Sequence, residues 1–202
     1  MMHRVLALVA TALSLGLCGC ITLFPKEAPA QLYRFEADLP PATAAATPFS
    51  VRASPLDFDT PAAGDQMMTS DGDQVAYIGG ARWSAPASDL FEDAVEHGFA
   101  TAGGPARLVG PGAPGRDDYR LQLQVTRFEA TYPSGPKAAP TIVVRLRATL
   151  LHEKDLAPAG ERLFEATIPA ADNHVSDIVT AYDAATTKVV GELVAWVGQG
   201  GG

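Results

Sequence analysis

Two segments in the second half of the chain alternate apolar and polar residues over more than ten positions. They are DYRLQLQVTRFEATY at 118–132 and TIVVRLRATLLHE at 141–153. This period of two places one set of side chains on a core face and the other on a solvated face. The short link PSGPKAAP predicts that the two strands are antiparallel neighbours, and RLFEATIPA at 162–170 predicts a third strand.

Two later patterns have helical spacing and predict the layer that covers this sheet. In the stretch 84–104, Ser84 is an expected N-cap, Pro86 suits the first turn, and a pair of glycines ends the helix. A longer helix is expected from Asn173, its predicted cap, to the terminal GQGGG. One continuous apolar stripe runs along it, made of Val175, Ile178, Val179, Tyr182, Ala185, Val189, Val190, Leu193, Trp196 and Val197.

The first half of the chain predicts further strands. QLYRFEA at 31–37 alternates like a strand, FSVRAS at 49–54 follows an Ala/Pro-rich loop, and QMMTSDGDQVAYI at 66–78 holds an Asp-Gly hairpin signal at residues 71 and 72. The expected fold class is therefore α/β, with a mixed, largely antiparallel sheet packed against two principal helices in two or three layers.

The N-terminus has the features of a secretory signal that ends in a lipidation site. MMHR carries one Arg, 13 uncharged and mostly apolar residues follow, and the run is too short to span a bilayer. Leu17-Cys18-Gly19-Cys20 then resembles the bacterial lipobox. A disulfide between the two cysteines would close a strained ring, and a zinc site lacks further ligands nearby. An ordinary membrane helix with incidental cysteines is the remaining alternative.

The lipobox resemblance implies that Cys20 becomes the first mature residue and carries a covalent diacylglyceryl group and usually an N-acyl chain such as palmitate. The expected organisation is a signal peptide at 1–19, a lipidated tether at 20–30, one domain at 31–198 and a flexible tail at 199–202. No other cofactor is expected. Ile21, in place of the Asp that retains lipoproteins at the inner membrane in well-known systems, predicts sorting to the outer membrane.

Charge and motif content favour a binding or structural role over catalysis. The chain has 15 Lys and Arg against 23 Asp and Glu, a net charge of −8, which becomes 14 minus 23, or −9, without residues 1–19. This acidity disfavours nucleic acid. No metal-binding spacing relates His97, His152 and His174. The segment GPGAPG at 110–115 lacks the Lys-Ser/Thr of a phosphate loop, and the sequence has no nucleophile elbow. Neither a catalytic nor a metal site is therefore predicted.

Several stretches of the sequence together carry a family resemblance. These are the lipobox, LYRFE, ARWSAP leading into LFEDAVEHGF, YRLQLQVTRFEA and the final VAWV. Over residues 31–197 the chain resembles the ABC-type transport auxiliary lipoprotein family (PqiC-like). The resemblance implies an α/β lipoprotein on the periplasmic face of the outer membrane. Its implied partners are an MCE-type periplasmic protein and, through it, an inner-membrane ABC permease and ATPase in lipid transport.

The sequence leaves several contact residues and one other function open. Trp83 is either an exposed partner anchor or a core residue between sheet and helix. Arg120, Arg145 and Arg147 share a strand face that either binds a partner or simply contacts solvent. An exposed strand edge near 31–37 predicts sheet extension by a partner or a homo-oligomer. The alternative function is a stand-alone lipoprotein that binds a small apolar ligand or assists outer-membrane assembly.

Overall fold

A computed structural model describes residues 29–41, 47–110 and 116–201 of the chain. The predicted signal peptide, Cys20, most of the tether and most of the GPGAPG segment lie outside the described residues. The described strands are β1 Gln31–Tyr33, β2 Phe49–Ala53, β3 Asp57–Phe58, β4 Gln66–Asp71, β5 Gln74–Trp83, β6 Ala106–Val109, β7 Tyr119–Thr131, β8 Thr141–His152 and β9 Pro158–Pro169. The described helices are α1 Ala87–Ala102 and α2 Val175–Gly198.

The three longest strands form the antiparallel trio β7, β8 and β9, as the alternation predicts, with β9 at an edge of the sheet. The pairing of β7 shifts at one point, because Val125 lies opposite Leu146 while Arg127 lies opposite Arg145. Thr126 is therefore an extra residue, a β-bulge. It keeps the later apolar residues of β7 on the same buried face as the earlier ones.

The other edge of β7 is shared by three shorter strands. β2, β3 and β4 each pair with it in parallel, at its beginning, middle and end. β6 extends the sheet beyond β2, and β5 and β1 extend it beyond β4. The described part of the chain thus forms one open, mixed nine-stranded sheet, and the predicted α/β class is confirmed.

Both described helices cover the same face of the sheet, which gives two layers. α2 packs on β8 and β9, and α1 packs on α2 and β6. The predicted stripe of α2 is buried almost throughout. At the centre of the core lies an aromatic cluster whose rings meet at 4.8 to 6.2 Å, formed by Phe35, Phe58, Trp83, Phe91, Phe128 and Tyr182.

Three local predictions are wrong in detail. Neither predicted cap is used: α1 begins after Pro86 and α2 after His174, and no side chain caps either helix. Asn173 instead accepts a hydrogen bond from the Tyr132 hydroxyl at 3.0 Å. The hairpin is present, but its two-residue loop is Gly72-Asp73, one position later, with Gly72 at φ +55°.

The predicted first strand ends at Tyr33, and residues 34–40 leave the sheet as a segment that we call the strap. Phe35, Ala37 and Leu39 are buried while the residues between them are exposed. The backbone N–H of Glu36 donates to Asp183 Oδ1 on α2 at 3.0 Å. The strap has the alternation of a strand because one side of it packs against the core.

Candidate functional site

The sheet face opposite the helices carries the arginines that the sequence singles out. Strand register places Arg120, Arg145 and Arg147 on this face, which we call the arginine face. Arg145 forms an ion pair with Glu165 and Arg147 with Glu161, in both cases from β8 to β9. The prediction that the three arginines share a face is correct.

Arg120 makes the most specific of these pairs. Its Nε and Nη2 donate to the two carboxylate oxygens of Glu153 at 3.0 and 2.6 Å. This hydrogen bonding lowers the pKa of Glu153 and raises that of Arg120. Because each arginine faces a carboxylate, the arginine face presents paired charges and not a positive patch. Its use as a docking surface stays a prediction.

Trp83 is a core residue, and the exposed-anchor interpretation is wrong. Only 2% of its surface is exposed, and its ring meets Phe35 and Tyr182 edge-on, at 5.0 and 5.1 Å between centroids. Its position at the end of β5, just before α1, directs the indole between the sheet and the helices. A partner cannot contact this side chain without opening the core.

The β4–β5 hairpin carries exposed apolar residues that the sequence reasoning did not single out. Val75 is 55% and Tyr77 42% exposed, and on neighbouring β1 Leu32 is 67% exposed. β1 pairs with β5 only from Ala81 to Trp83. The preceding part of β5 has no strand on its outer edge within the described ranges. The available sequence signal is QVAYI itself, an apolar run without a charge.

A groove of about 860 Å³ lies between α1, the strap and β6. Its lining mixes opposite charges, with Arg34, Glu36, Asp93 and Arg107 beside apolar residues such as Phe99. Such a lining differs from the mainly hydrophobic wall of a small-molecule pocket. The groove therefore gives little support to a small apolar ligand.

Each of the three histidines outside the predicted signal peptide contacts a different residue. His97 is 3.2 Å from the Thr101 hydroxyl, the ring of His152 lies beside Tyr119, and His174 Nδ1 is 3.2 Å from Asp172. Within the described ranges, no three His, Cys, Asp or Glu residues are grouped as metal ligands. No helix in those ranges is both long and apolar enough to cross a membrane.

Comparison with known proteins adds a family and a fold. The family model described as an ABC-type transport auxiliary lipoprotein component matches residues 33–194. The crystal structure of XCC0632 from Xanthomonas campestris is 24% identical, with a TM-score of 0.77 over 85% of this chain and 96% of that one. CT253 of Chlamydia trachomatis is 10% identical, with a TM-score of 0.55 over 75% and 96%. At these identities the structures establish the shared fold. A search of curated proteins finds no significant match.

Proposed function

The chain belongs to the ABC-type transport auxiliary lipoprotein family, and from that premise we propose that it is a non-catalytic docking subunit of an ABC transport system. In this proposal acyl chains on Cys20 hold the domain on the periplasmic face of the outer membrane. An MCE-type periplasmic protein is the direct partner, and it connects the domain to an inner-membrane permease and ATPase that move lipid.

The family match is the observation that carries the proposal. It extends from residue 33 to 194 and so covers nearly the whole folded part of the chain, from β1 into the last turns of α2. An auxiliary subunit receives its energy coupling from its partners. Its own contribution is then a binding surface held near a membrane. The lipid anchor fixes the position of the domain at the membrane, and the sheet provides the surface.

Photocrosslinking in native membranes tests the proposal. A crosslinkable residue is introduced at exposed positions spread over the described surface, such as Leu163 on the arginine face and Tyr77 on the hairpin. We expect at least one position to capture an MCE-type protein. If every position captures only unrelated envelope proteins, while the protein remains folded and anchored, the docking proposal fails.

Charge reversal then shows whether the arginine face is the docking surface. Arg145→Glu alone places two carboxylates together, whereas Arg145→Glu with Glu165→Arg restores the intramolecular pair in the opposite direction. Both variants reverse the charge at position 145, so a partner that binds the Arg145 side chain loses this contact in both. Capture that falls in both assigns docking to this face, and capture that recovers in the swapped pair shows that the arginine serves the sheet.

The alternative of a stand-alone protein that binds an apolar ligand predicts a different result. Lipid would then co-purify with the isolated protein, and no MCE-type protein would be captured. Mass spectrometry of the purified full chain, extracted in detergent and exchanged against a labelled lipid, distinguishes the two functions. The mixed charges of the groove beside α1 favour the docking function.

A further inference from the structure

The outer edge of β5 at residues 74–78 is an unprotected strand edge. The antiparallel register pairs Asp71 with Gln74, Ser70 with Val75, Thr69 with Ala76 and Met68 with Tyr77. Across a two-residue loop, the closing pair exchanges backbone hydrogen bonds and the next pair does not. The N–H and C=O groups of Val75 and Tyr77 therefore point away from β4, toward the outer edge.

The same two residues present exposed apolar side chains. The backbone groups and the side chains are therefore both suited to an extended strand with apolar residues. Val75 and Tyr77 lie two positions apart on one face. The hydroxyl of Tyr77 donates to the Pro61 carbonyl at 3.1 Å, which holds the ring in place. Beyond Ile78, Gly79 and Gly80 shift the register, and Gly80 has φ +70°. The available edge is thus short and has a defined end.

Comparison with β9, another edge strand, shows how the two edges differ. Natural edge strands are protected by prolines, charges or bulges. β9 has proline at both ends, Pro158 and Pro169, and charged residues between them, namely Glu161, Arg162 and Glu165. Residues 74–78 contain neither a proline nor a charged residue. Of the two strands, only β5 offers a partner backbone an unobstructed edge.

Charge at the hairpin tip indicates the chemistry of the occupant. Asp71 belongs to the closing pair of the hairpin and Asp73 lies in its two-residue loop. No described residue forms an ion pair with either carboxylate. An added strand at the outer edge brings its end close to these two carboxylates. A lysine or arginine at that end supplies the missing positive charge, and an acidic residue there is repelled.

We propose that the outer edge of β5 binds an extended segment of the transport partner by β-strand addition, and that this segment alternates apolar residues and has a Lys or Arg beside the hairpin tip. The inference rests on the proposed function, since it names the surface by which that function operates. Backbone pairing supplies the affinity, and Val75 and Tyr77 supply an apolar strip for alternate side chains of the segment.

Photocrosslinking with the full-length, membrane-anchored protein tests this edge. The probe replaces Val75 in one variant and Leu163 on β9 in another, because these side chains are 55% and 52% exposed. We expect the Val75 probe to capture a partner through a peptide that contains Lys or Arg, identified by mass spectrometry, and the Leu163 probe to capture it much less.

A proline variant separates backbone pairing from side-chain contact. Val75→Pro removes an N–H that β4 does not use, whereas Val75→Thr keeps the N–H and the branched shape. With the probe moved to Tyr77, we expect Val75→Pro to lower capture about fivefold or more, which corresponds to the loss of one hydrogen bond, and Val75→Thr to retain it. Equal thermal unfolding midpoints of the two purified full chains show that the hairpin is intact.

The charge at the tip is tested by Asp71→Lys with Asp73→Lys, which we expect to reduce capture several-fold at low salt, with a smaller effect at high salt. Unchanged or increased capture contradicts the basic segment. Capture from Val75 of residues 21–28 of the same chain, or of a second copy, overturns the proposal. Capture of an MCE-type protein from Leu163 but not from Val75 also overturns the proposal, but it leaves the docking function intact. If no surface position, including these two, captures an MCE-type protein, the docking function itself has failed.

Discussion

At the scale of single residues, α2 contains two polar groups in surroundings that do not suit them. Thr186 is fully buried, and its hydroxyl has no hydrogen-bond partner among the described residues. Asp183 is partly buried and accepts the Glu36 N–H from the strap. A buried polar atom without a partner costs free energy that an apolar atom of equal size avoids. These two positions are therefore where small substitutions are most informative.

Thr186→Val is expected to stabilise the protein. Valine has nearly the same shape, so packing is kept while the unpaired hydroxyl is removed, and we expect the free energy of unfolding to rise by about 1 kcal/mol. Thr180→Val is the matched control, because the exposed Thr180 hydroxyl donates to the Ser176 carbonyl at 2.9 Å. Urea unfolding of both variants measures the difference, and a loss of stability in Thr186→Val contradicts the argument.

Asp183 gives a pH dependence of stability with a defined sign. Burial raises the pKa of its carboxyl from 3.8 to about 6. Between these values the folded state binds more protons than the unfolded state, so this group's stabilising contribution falls as pH rises from about 4 to about 6. Asp183→Asn removes the titration and keeps an oxygen acceptor for the Glu36 N–H.

We therefore expect the stability of Asp183→Asn relative to wild type to increase from pH 4 to pH 6 and then to level off. Urea unfolding of the full chain at pH 4, 5, 6 and 7 measures this difference. Asp38→Asn on the exposed side of the strap changes the net charge equally and serves as the control. A difference that is flat, or that falls with pH, means that the carboxylate is better accommodated in the folded state than its burial indicates.

At the scale of elements, the two helices approach closely where α1 has a glycine. A Cβ atom at Gly98 would lie 2.6 Å from Val190 Cγ1 on α2 and 3.2 Å from Leu39 Cδ1 on the strap. Leu39 also lies close to Gly191 of α2. Helix α1, helix α2 and the strap thus meet at one point, and the absence of a side chain at Gly98 permits their spacing.

Gly98→Ala is expected to destabilise the protein, although alanine is the better helix former. Helix propensity contributes about 1 kcal/mol in favour of alanine, whereas overpacking a closed core costs about 1 to 3 kcal/mol, and Val190 is too stiff to turn aside. We expect a net loss of about 1 kcal/mol by urea unfolding. In Gly98→Ala with Val190→Ala, the loss should be smaller than the sum of the two single losses.

Gly104→Ala is the control, because nothing lies within 4 Å of a Cβ atom at Gly104 and its φ is not positive. Strict additivity of Gly98→Ala and Val190→Ala would show that the helices separate freely, and the close approach would then have no energetic role.

The elements also show which parts of the fold are readable from sequence. β7, β8, β9 and α2 are predicted correctly because each is long and its period is local. The strap is not, since Phe35, Ala37 and Leu39 alternate as a strand does. Only tertiary contacts show that Leu39 lies against both helices and that Phe35 packs on the rings of Trp83 and Phe128. The sharing of one edge of β7 by three short strands depends on long-range register, which no local pattern encodes.

At the scale of the whole molecule, the fold has a closed side and an open side. The helices and the strap cover one sheet face, and the open side carries the arginine face and the exposed hairpin. Sequence alternation predicts that Arg145 and Arg147 point outward, but their carboxylate partners lie on another strand and follow only from its register. The unpaired outer edge of β5 likewise depends on long-range strand pairing, so the sequence does not predict it.

A lipid anchor at Cys20, a residue outside the described ranges, is predicted from the lipobox resemblance. Each buried methylene contributes about 0.8 kcal/mol, so two or three acyl chains hold a protein on a bilayer essentially permanently, whereas a single chain does not. We expect Cys20→Ala to give an unprocessed or soluble precursor without labelled palmitate. Cys18→Ala should still be processed and labelled, and should fractionate with the outer membrane, because Ile21 is not an inner-membrane retention residue. Palmitate labelling of Cys20→Ala at the wild-type level contradicts the assignment of Cys20, and recovery of Cys18→Ala only in inner-membrane fractions contradicts the predicted location.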